Sequence, residues 1–282
     1  MKKIIYNACT FVFMLSVAAG FTSCSDDDDP QNPVICPVED VFPEGVPAQV
    51  GDAVITTNAD GRVASINDGE DIYTFEYLAA PVDGYNVIVR ENSVSAKSSA
   101  ENDGATFRLR VNNAGFIEHC YETEYDEYDG ELYEQTWDFE YNAAGQLSKM
   151  KRSEGDNEVT VITYNGDGDI VKVSVTDDES TKPFESAISY GTTPIVNKGG
   201  IMLFDQCFNI DMDEMSVMYF AGLLGKSTTH LPTECNELEG EYSSRYTFTW
   251  DLNADGLPVK LTEKEYYAGS TEGYTQTMTF RW

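Results

Sequence analysis

One short pattern recurs five times in this chain and confines it to a β fold built from hairpins. The copies are VITTNADGRVASI from Val54, FRLRVNNAGFIEHC from Phe107, FEYNAAGQLSKM from Phe139, VITYNGDGDIVKV from Val161 and FTWDLNADGLPVKL from Phe248. Each runs from alternating aromatic or β-branched residues through Asn-x-x-Gly into alternating aliphatics with a basic residue. Asn and Gly tolerate the positive φ that a tight hairpin with a bulge demands. Period-two alternation on either side marks strands with one face turned to a core. The expected fold is mainly β: a strongly curved antiparallel sheet or partial barrel of repeated hairpins.

The alternation is plainest between Ile117 and Tyr141. At strict period two, Ile117, His119, Tyr121 and Tyr125 share one face, and Glu118, Glu122 and Glu124 share the other. Beyond the Asp129-Gly130 turn, Trp137, Phe139 and Tyr141 oppose Asp138 and Glu140. This predicts an aromatic core face and an acidic wet face. Such a hairpin is unstable alone, so more sheet or a helix must cover its aromatic side. The stretch DMDEMSVMYFAGLLG, from Asp211 to Gly225, departs from the β pattern. Asp211 is placed to cap a first turn, Asp213 and Glu214 suit the positive end of a helix dipole, and Gly225 stands where a C-cap falls. The expectation is one buried α-helix over 211–224, apolar nearly all round, plugging the curled sheet.

The N-terminus reads as an address. Lys2 and Lys3 precede an apolar run from Ala8 to Ala19, short of the ~20 residues a spanning helix needs, so residues 1–23 read as a secretory signal. Cys24, at the expected cut, resembles the lipidated cysteine of a bacterial lipobox. Ser25, Asp26, Asp27, Asp28 and Asp29 resemble the export signal of Bacteroidetes lipoproteins destined for the outer face of the outer membrane. Residues 24–48 carry Pro30, Pro33, Pro37, Pro43 and Pro47 and read as an acidic, semi-extended tether. Residues 49–282 read as a single β-rich domain. Tyr274, Met278, Phe280 and Trp282 share one parity at the C-terminus, as in the last strand of an outer-membrane barrel. The opposite parity of most strands is polar, however, where lipid requires an apolar band ~25 Å tall. Membrane contact is therefore expected through the N-terminal lipid only.

The formal charge of −31 becomes −33 when Lys2 and Lys3 leave with the signal, which argues against nucleic acid as a partner. Neutral glycans, cations and basic proteins remain. Beyond Cys24 the exported chain keeps Cys36, Cys120, Cys207 and Cys235. Disulfides are permitted in that compartment, with Cys207–Cys235 the preferred pair because both flank the expected helix; buried free thiols are the alternative. With no C-x-x-C and only His119 and His230 to add nitrogen, no metal site is expected, and no cofactor.

The stretch from Asn197 to Pro232, with KGGIMLFDQCFNIDMDE, YFAGLLGK and THLP, resembles the signature region of an uncharacterised Bacteroidetes lipoprotein family, a domain of unknown function with a porin-like fold. The hairpin repeats are similar, more distantly, to YD-type repeats of large surface proteins. The family resemblance implies a curved antiparallel sheet and assigns no activity.

Motifs for chemistry are sparse. Gly222-Leu-Leu-Gly225-Lys226-Ser227 looks like the end of a P-loop, but Phe220 stands where glycine is needed and the helix precedes the lysine. Asn165-Gly-Asp167-Gly-Asp169 and Asn253-Ala-Asp255-Gly look like parts of calcium loops without the distal Glu, and turn chemistry accounts for them. No catalytic residue is assigned. Tyr125, Tyr128 and Tyr133, flanking a hairpin tip, are the candidate ligand contacts, as a stacking platform for sugar. The chain thus reads as a lipid-anchored, surface-exposed, non-catalytic binding protein with a glycan as first ligand. Alternatives are a scaffold or adhesion component that binds an envelope protein, and a hydrolase using an acidic pair.

Overall fold

The structure is a computed structural model that describes residues 38–94, 104–125, 131–238, 243–267 and 269–282. The signal, Cys24, the Ser25–Asp29 run and Cys36 lie outside the described residues. In chain order the strands begin with β1 (Gln49–Val50), β2 (Ala53–Thr57), β3 (Val63–Asn67), β4 (Asp71–Val82), β5 (Tyr85–Ser93) and β6 (Ala105–Val111). They continue with β7 (Ile117–Tyr125), β8 (Leu132–Tyr141), β9 (Leu147–Arg152), β10 (Val159–Tyr164), β11 (Ile170–Thr176) and β12 (Phe184–Ser189). A short pair, β13 (Ile195–Val196) and β14 (His230–Leu231), precedes β15 (Glu234–Glu237), β16 (Ser244–Leu252), β17 (Pro258–Tyr267) and β18 (Tyr274–Arg281). All but β13 and β14 form one 16-stranded antiparallel sheet, and Gln49 and Val50 on β1 pair with Arg281 and Phe280 on β18 to close it. The expected partial barrel is therefore a complete one. Closure removes the two exposed edges that an open curved sheet would present to other chains.

The five Asn-x-x-Gly motifs all form the same turn at one rim, because each joins a strand running to that rim with the next one running away. In every copy the Asn N–H donates to the carbonyl four residues on, and the glycine N–H donates back to the Asn carbonyl. The glycines Gly61, Gly115, Gly145, Gly168 and Gly256 hold φ between 80° and 85°, which L side chains rarely adopt. At Asn112, Asn142, Asn165 and Asn253 the side-chain Oδ1 accepts from the backbone N–H groups two and four residues later. Each turn is followed by a break in strand register. The extra residue gives the outgoing strands their shared burial pattern, an inward residue first and the next inward residue three positions later: Val63 and Ile66, Leu147 and Met150, Ile170 and Val173, Pro258 and Leu261. Such bulges sharpen twist and curvature, which closure requires.

The connection from β12 to β15 fills the barrel. It leaves the turn rim, forms a helix at Phe204–Phe208, reaches the opposite rim at Asp211–Glu214, and returns through a 3-10 turn (Asp213–Ser216) and a helix at Val217–Phe220. The expected single helix over 211–224 is thus broken into short turns. Asn209 at φ 55° ends the first helix and Gly222 at φ 77° the last, so the chain can fold back inside a narrow space. The expected burial does hold: Met215, Met218, Tyr219, Leu223 and Leu224 join the inward side chains of the wall in one apolar core. Phe42, 0% exposed, Phe204 and Phe220 surround Tyr219 with ring centroids 5.4–5.6 Å away.

On returning, the segment ties into the turns themselves. Leu223 accepts from Ile117 N–H at 2.8 Å, Lys226 N–H donates to Gly145 at 2.8 Å, and Gln146 Nε2 donates to both Gly168 and Ser227. Asp169 accepts from His230 N–H at 2.8 Å and holds its ring Nδ1 at 2.7 Å. The plug is therefore tied to the turn rim, and the residues resembling a calcium loop serve turn and plug contacts. The expected Cys207–Cys235 disulfide is not formed. Cys120, Cys207 and Cys235 are buried free thiols; burial pushes the Cys207 thiol well above its ordinary range and Cys235 to about 12.

Candidate functional site

The outer face of the barrel is polar. Same-face ion pairs bridge neighbouring strands: Arg90 to Glu76, Arg110 to Glu118, Lys149 to Glu140, Lys172 to Glu185 and Lys260 to Asp251. Inward positions on the same strands are Val87, Val89, Phe107, Leu109, Trp137 and Phe139. Apolar inside and charged outside is the reverse of a wall that faces lipid.

One strand departs from the strict alternation, and it builds the site. Val111 pairs with Ile117 but Arg110 pairs with His119, so Glu118 is the extra residue of a bulge. Every side chain beyond Glu118 changes face. Cys120 and Glu122 point inward, opposite Trp137 and Gln135, while His119, Tyr121 and Tyr125 point outward. The expected aromatic core face of this strand is its outer face, and a carboxylate enters the core. Glu122 is 3% exposed and accepts from Trp137 Nε1 at 3.0 Å. Burial, with Glu214, Glu124 and Glu154 adding to it, raises its pKa to about 7 despite the Trp137 hydrogen bond.

The outward aromatics line a hollow over β4 to β8. At the tip of the β4–β5 hairpin the register breaks between Tyr77 and Val82, and Leu78, Val82 and Tyr85 come to line the same space as Ile88 and Arg108. This part holds about 560 Å³. A continuation of about 540 Å³ shares Arg90, Arg108 and Tyr121 and extends to Tyr125, Leu132 and Glu134. The Arg108 guanidinium lies 5.7 Å from the Tyr121 ring centroid, and the Tyr121 hydroxyl donates to Glu134. The Tyr85 ring stacks on His119, whose Nδ1 lies 2.7 Å from Asp138 Oδ1.

Of the three expected tyrosine contacts, Tyr125 lines this hollow. Tyr133 pairs with Glu124 on the inward parity and lines a different recess with Gln135 and Ser153. The two tyrosines are on opposite faces of one hairpin, so they form no common platform; Tyr128 lies outside the described residues. Sequence reasoning missed Arg108, Tyr121, Tyr85 and Ile88. The available signal was the bulge that Asn112-x-x-Gly115 implies, which inverts the parity of the strand after it.

A second hollow of about 560 Å³ lies inside the wall, between β1–β3 and the plug, with Met202, Phe204, Met212 and Met278 beside Asp205 and Asp213. Its carboxylates belong to an acidic rim. Asp211 and Asp213 bind Arg152 at 2.9 and 2.6 Å, and Glu91 is raised to about 7 by burial and then by Asp71 and Glu214. Glu214 raises both Glu91 and Glu122, with Asp71 adding to the first and Glu124 and Glu154 to the second.

The family described as "Domain of unknown function (DUF4595) with porin-like fold" matches residues 55–260. The chain belongs to this family. Among solved structures, a porin-like protein from Bacteroides uniformis ATCC 8492 is similar at a TM-score of 0.59 and 18% identity, covering 81% of this chain and 88% of that one. A porin-like protein from Bacteroides vulgatus ATCC 8482 is similar at a TM-score of 0.54 and 14% identity, covering 84% and 98%. At these identities the likeness is one of fold. No curated protein matches. Within this porin-like fold the present chain carries an apolar plug inside the barrel and a polar outer wall.

Proposed function

We propose that this DUF4595 protein is a non-catalytic binding protein of the bacterial surface, anchored by lipid at Cys24, that captures a saccharide in the hollow over β4–β8. The observation that carries the reading is the outward turn of Tyr121 and Tyr125, with Tyr85 across the hollow. Aromatic faces beside hydrogen-bonding groups suit a sugar, whose C–H face stacks while its hydroxyls find donors and acceptors. The polar wall supports attachment by lipid rather than by insertion.

The test is a glycan array probed with the chain lacking residues 1–23, alongside Tyr121→Ala and Tyr125→Ala. Saturable binding that both substitutions weaken supports the reading. Binding that neither changes moves the site elsewhere. Silence across the array, with capture of an envelope protein through the same face, would favour the scaffold alternative.

A further inference from the structure

Resting on the saccharide reading above, we infer that the hollow is selective for an acidic saccharide, with Arg108 taking the single anionic group of the bound sugar. Arg62, Arg90, Arg110, Arg152 and Arg245 each pair with a carboxylate. Among the described residues Arg108 and Arg281 do not, and of these two only Arg108 is half-buried. Among the described residues no hydrogen bond or ion pair reaches the Arg108 guanidinium, and its Nη1 is shielded from solvent with no partner. Its charge rests against the Tyr121 ring instead.

A shielded, unsatisfied guanidinium nitrogen is costly, and in a chain of charge −31 carboxylates are plentiful. The strand pairing explains why none reaches it. Arg108 stands opposite Ile88 on β5 and Tyr121 on β7. Of the carboxylates that line the hollow, Glu76 is engaged by Arg90 and Glu134 by the Tyr121 hydroxyl, and Asp83, at the tip of the β4–β5 hairpin, makes no ion pair with Arg108 among the described residues. Arg108 lines both parts of the hollow, along the path of a ligand that spans them.

The geometry also limits the ligand's charge. Guanidinium matches a carboxylate or a sulfate ester through paired N–H donors. Glu76, Asp83 and Glu134 around the same space repel a second negative charge. The recognised unit is therefore a sugar ring bearing one anionic group, laid on Tyr121 and Tyr125, and not a highly charged polysaccharide.

The experiment uses the chain lacking residues 1–23 on an array of matched sets: lactose, 3′-sialyllactose and 3′-sulfolactose, with neutral and uronate-terminated oligosaccharides. Arg108→Gln and Arg108→Lys are measured beside the wild type, with thermal unfolding to verify that each variant folds. The expected result is at least a tenfold preference for the singly charged member of a set. Arg108→Gln should bring the ratio of acidic to neutral binding close to one, whatever it does to neutral binding itself, and Arg108→Lys should retain part of the preference. Preference for the sialylated over the sulfated member identifies carboxylate, and the reverse identifies sulfate; either supports the inference. Equal binding of neutral and acidic members, or a preference that survives Arg108→Gln, overturns the acidic selectivity and leaves saccharide capture standing. Binding to no glycan at all overturns both.

Discussion

Replacing Glu122 by glutamine should stabilise the barrel, and by an amount that depends on pH in a defined direction. Glu122 is a carboxylate inside an apolar wall, 3% exposed, with Trp137 Nε1 as its hydrogen-bond donor. Its pKa rises from an ordinary 4.5 to about 7, chiefly through burial. Because the folded value lies above the unfolded one, the folded state holds its proton more tightly. The barrel has its full stability below about pH 4.5, where both states are protonated, and loses it as pH rises toward 7. At 1.36 kcal/mol per unit, ionised Glu122 costs about 3 kcal/mol above neutral pH. The glutamine side chain carries no charge and still accepts from Trp137. The E122Q protein should therefore gain up to about 3 kcal/mol near pH 8, or roughly 5–10 °C in Tm for a domain of this size. Near pH 4 the gain should vanish. Urea unfolding followed by tryptophan fluorescence across this range measures it. An E122Q protein no more stable than wild type at pH 8, or one whose advantage is undiminished at pH 4, would refute the inward placement of this carboxylate.

Further outcomes follow from the same geometry. Asn142→Ala removes the acceptor of two backbone N–H groups and the contact to Gln146, and should cost about 1–3 kcal/mol in urea unfolding; an unchanged midpoint would deny the turn this role. Gly225→Ala places a Cβ 2.7 Å from the Gly145 carbonyl oxygen and 2.9 Å from the Tyr141 ring at φ 87°, and should cost on the order of 2–4 kcal/mol. Full stability in that variant would mean the plug does not meet the turn rim as described. Cys120, Cys207 and Cys235 should resist a thiol reagent in the native protein and react together after denaturation in guanidinium; rapid native labelling of any of them would contradict their burial.

The repeat made much of this fold readable before any coordinates. Asn-x-x-Gly fixes a turn by local hydrogen bonds, so its geometry survives whatever surrounds it. Closure was not readable, because it depends on pairing Gln49 with Arg281 across the whole chain and no local pattern encodes that contact. The buried character of 216–224 was visible in its composition, but its division into short turns reflects the space inside the wall and the backbone of Asn209 and Gly222. The site was the least legible part. Strict period two placed Tyr121 in the core and Glu122 in water, and a single inserted residue, Glu118, reversed both. Apolar spacing of three after each turn, as in Leu147 and Met150, announces that insertion in the other copies; after Gly115 the pair is Ile117 and Cys120, a weaker apolar signature.

A wall that is apolar within and charged without should meet lipid only through the N-terminus. The direct measurement is flotation of residues 24–282, carrying Cys24→Ala, on a density gradient with phospholipid vesicles and no detergent. The protein should be monodisperse in buffer and stay at the bottom of the gradient while the vesicles rise. Protein that floats with the vesicles, or that needs detergent to remain in solution, would contradict the reading of the barrel itself.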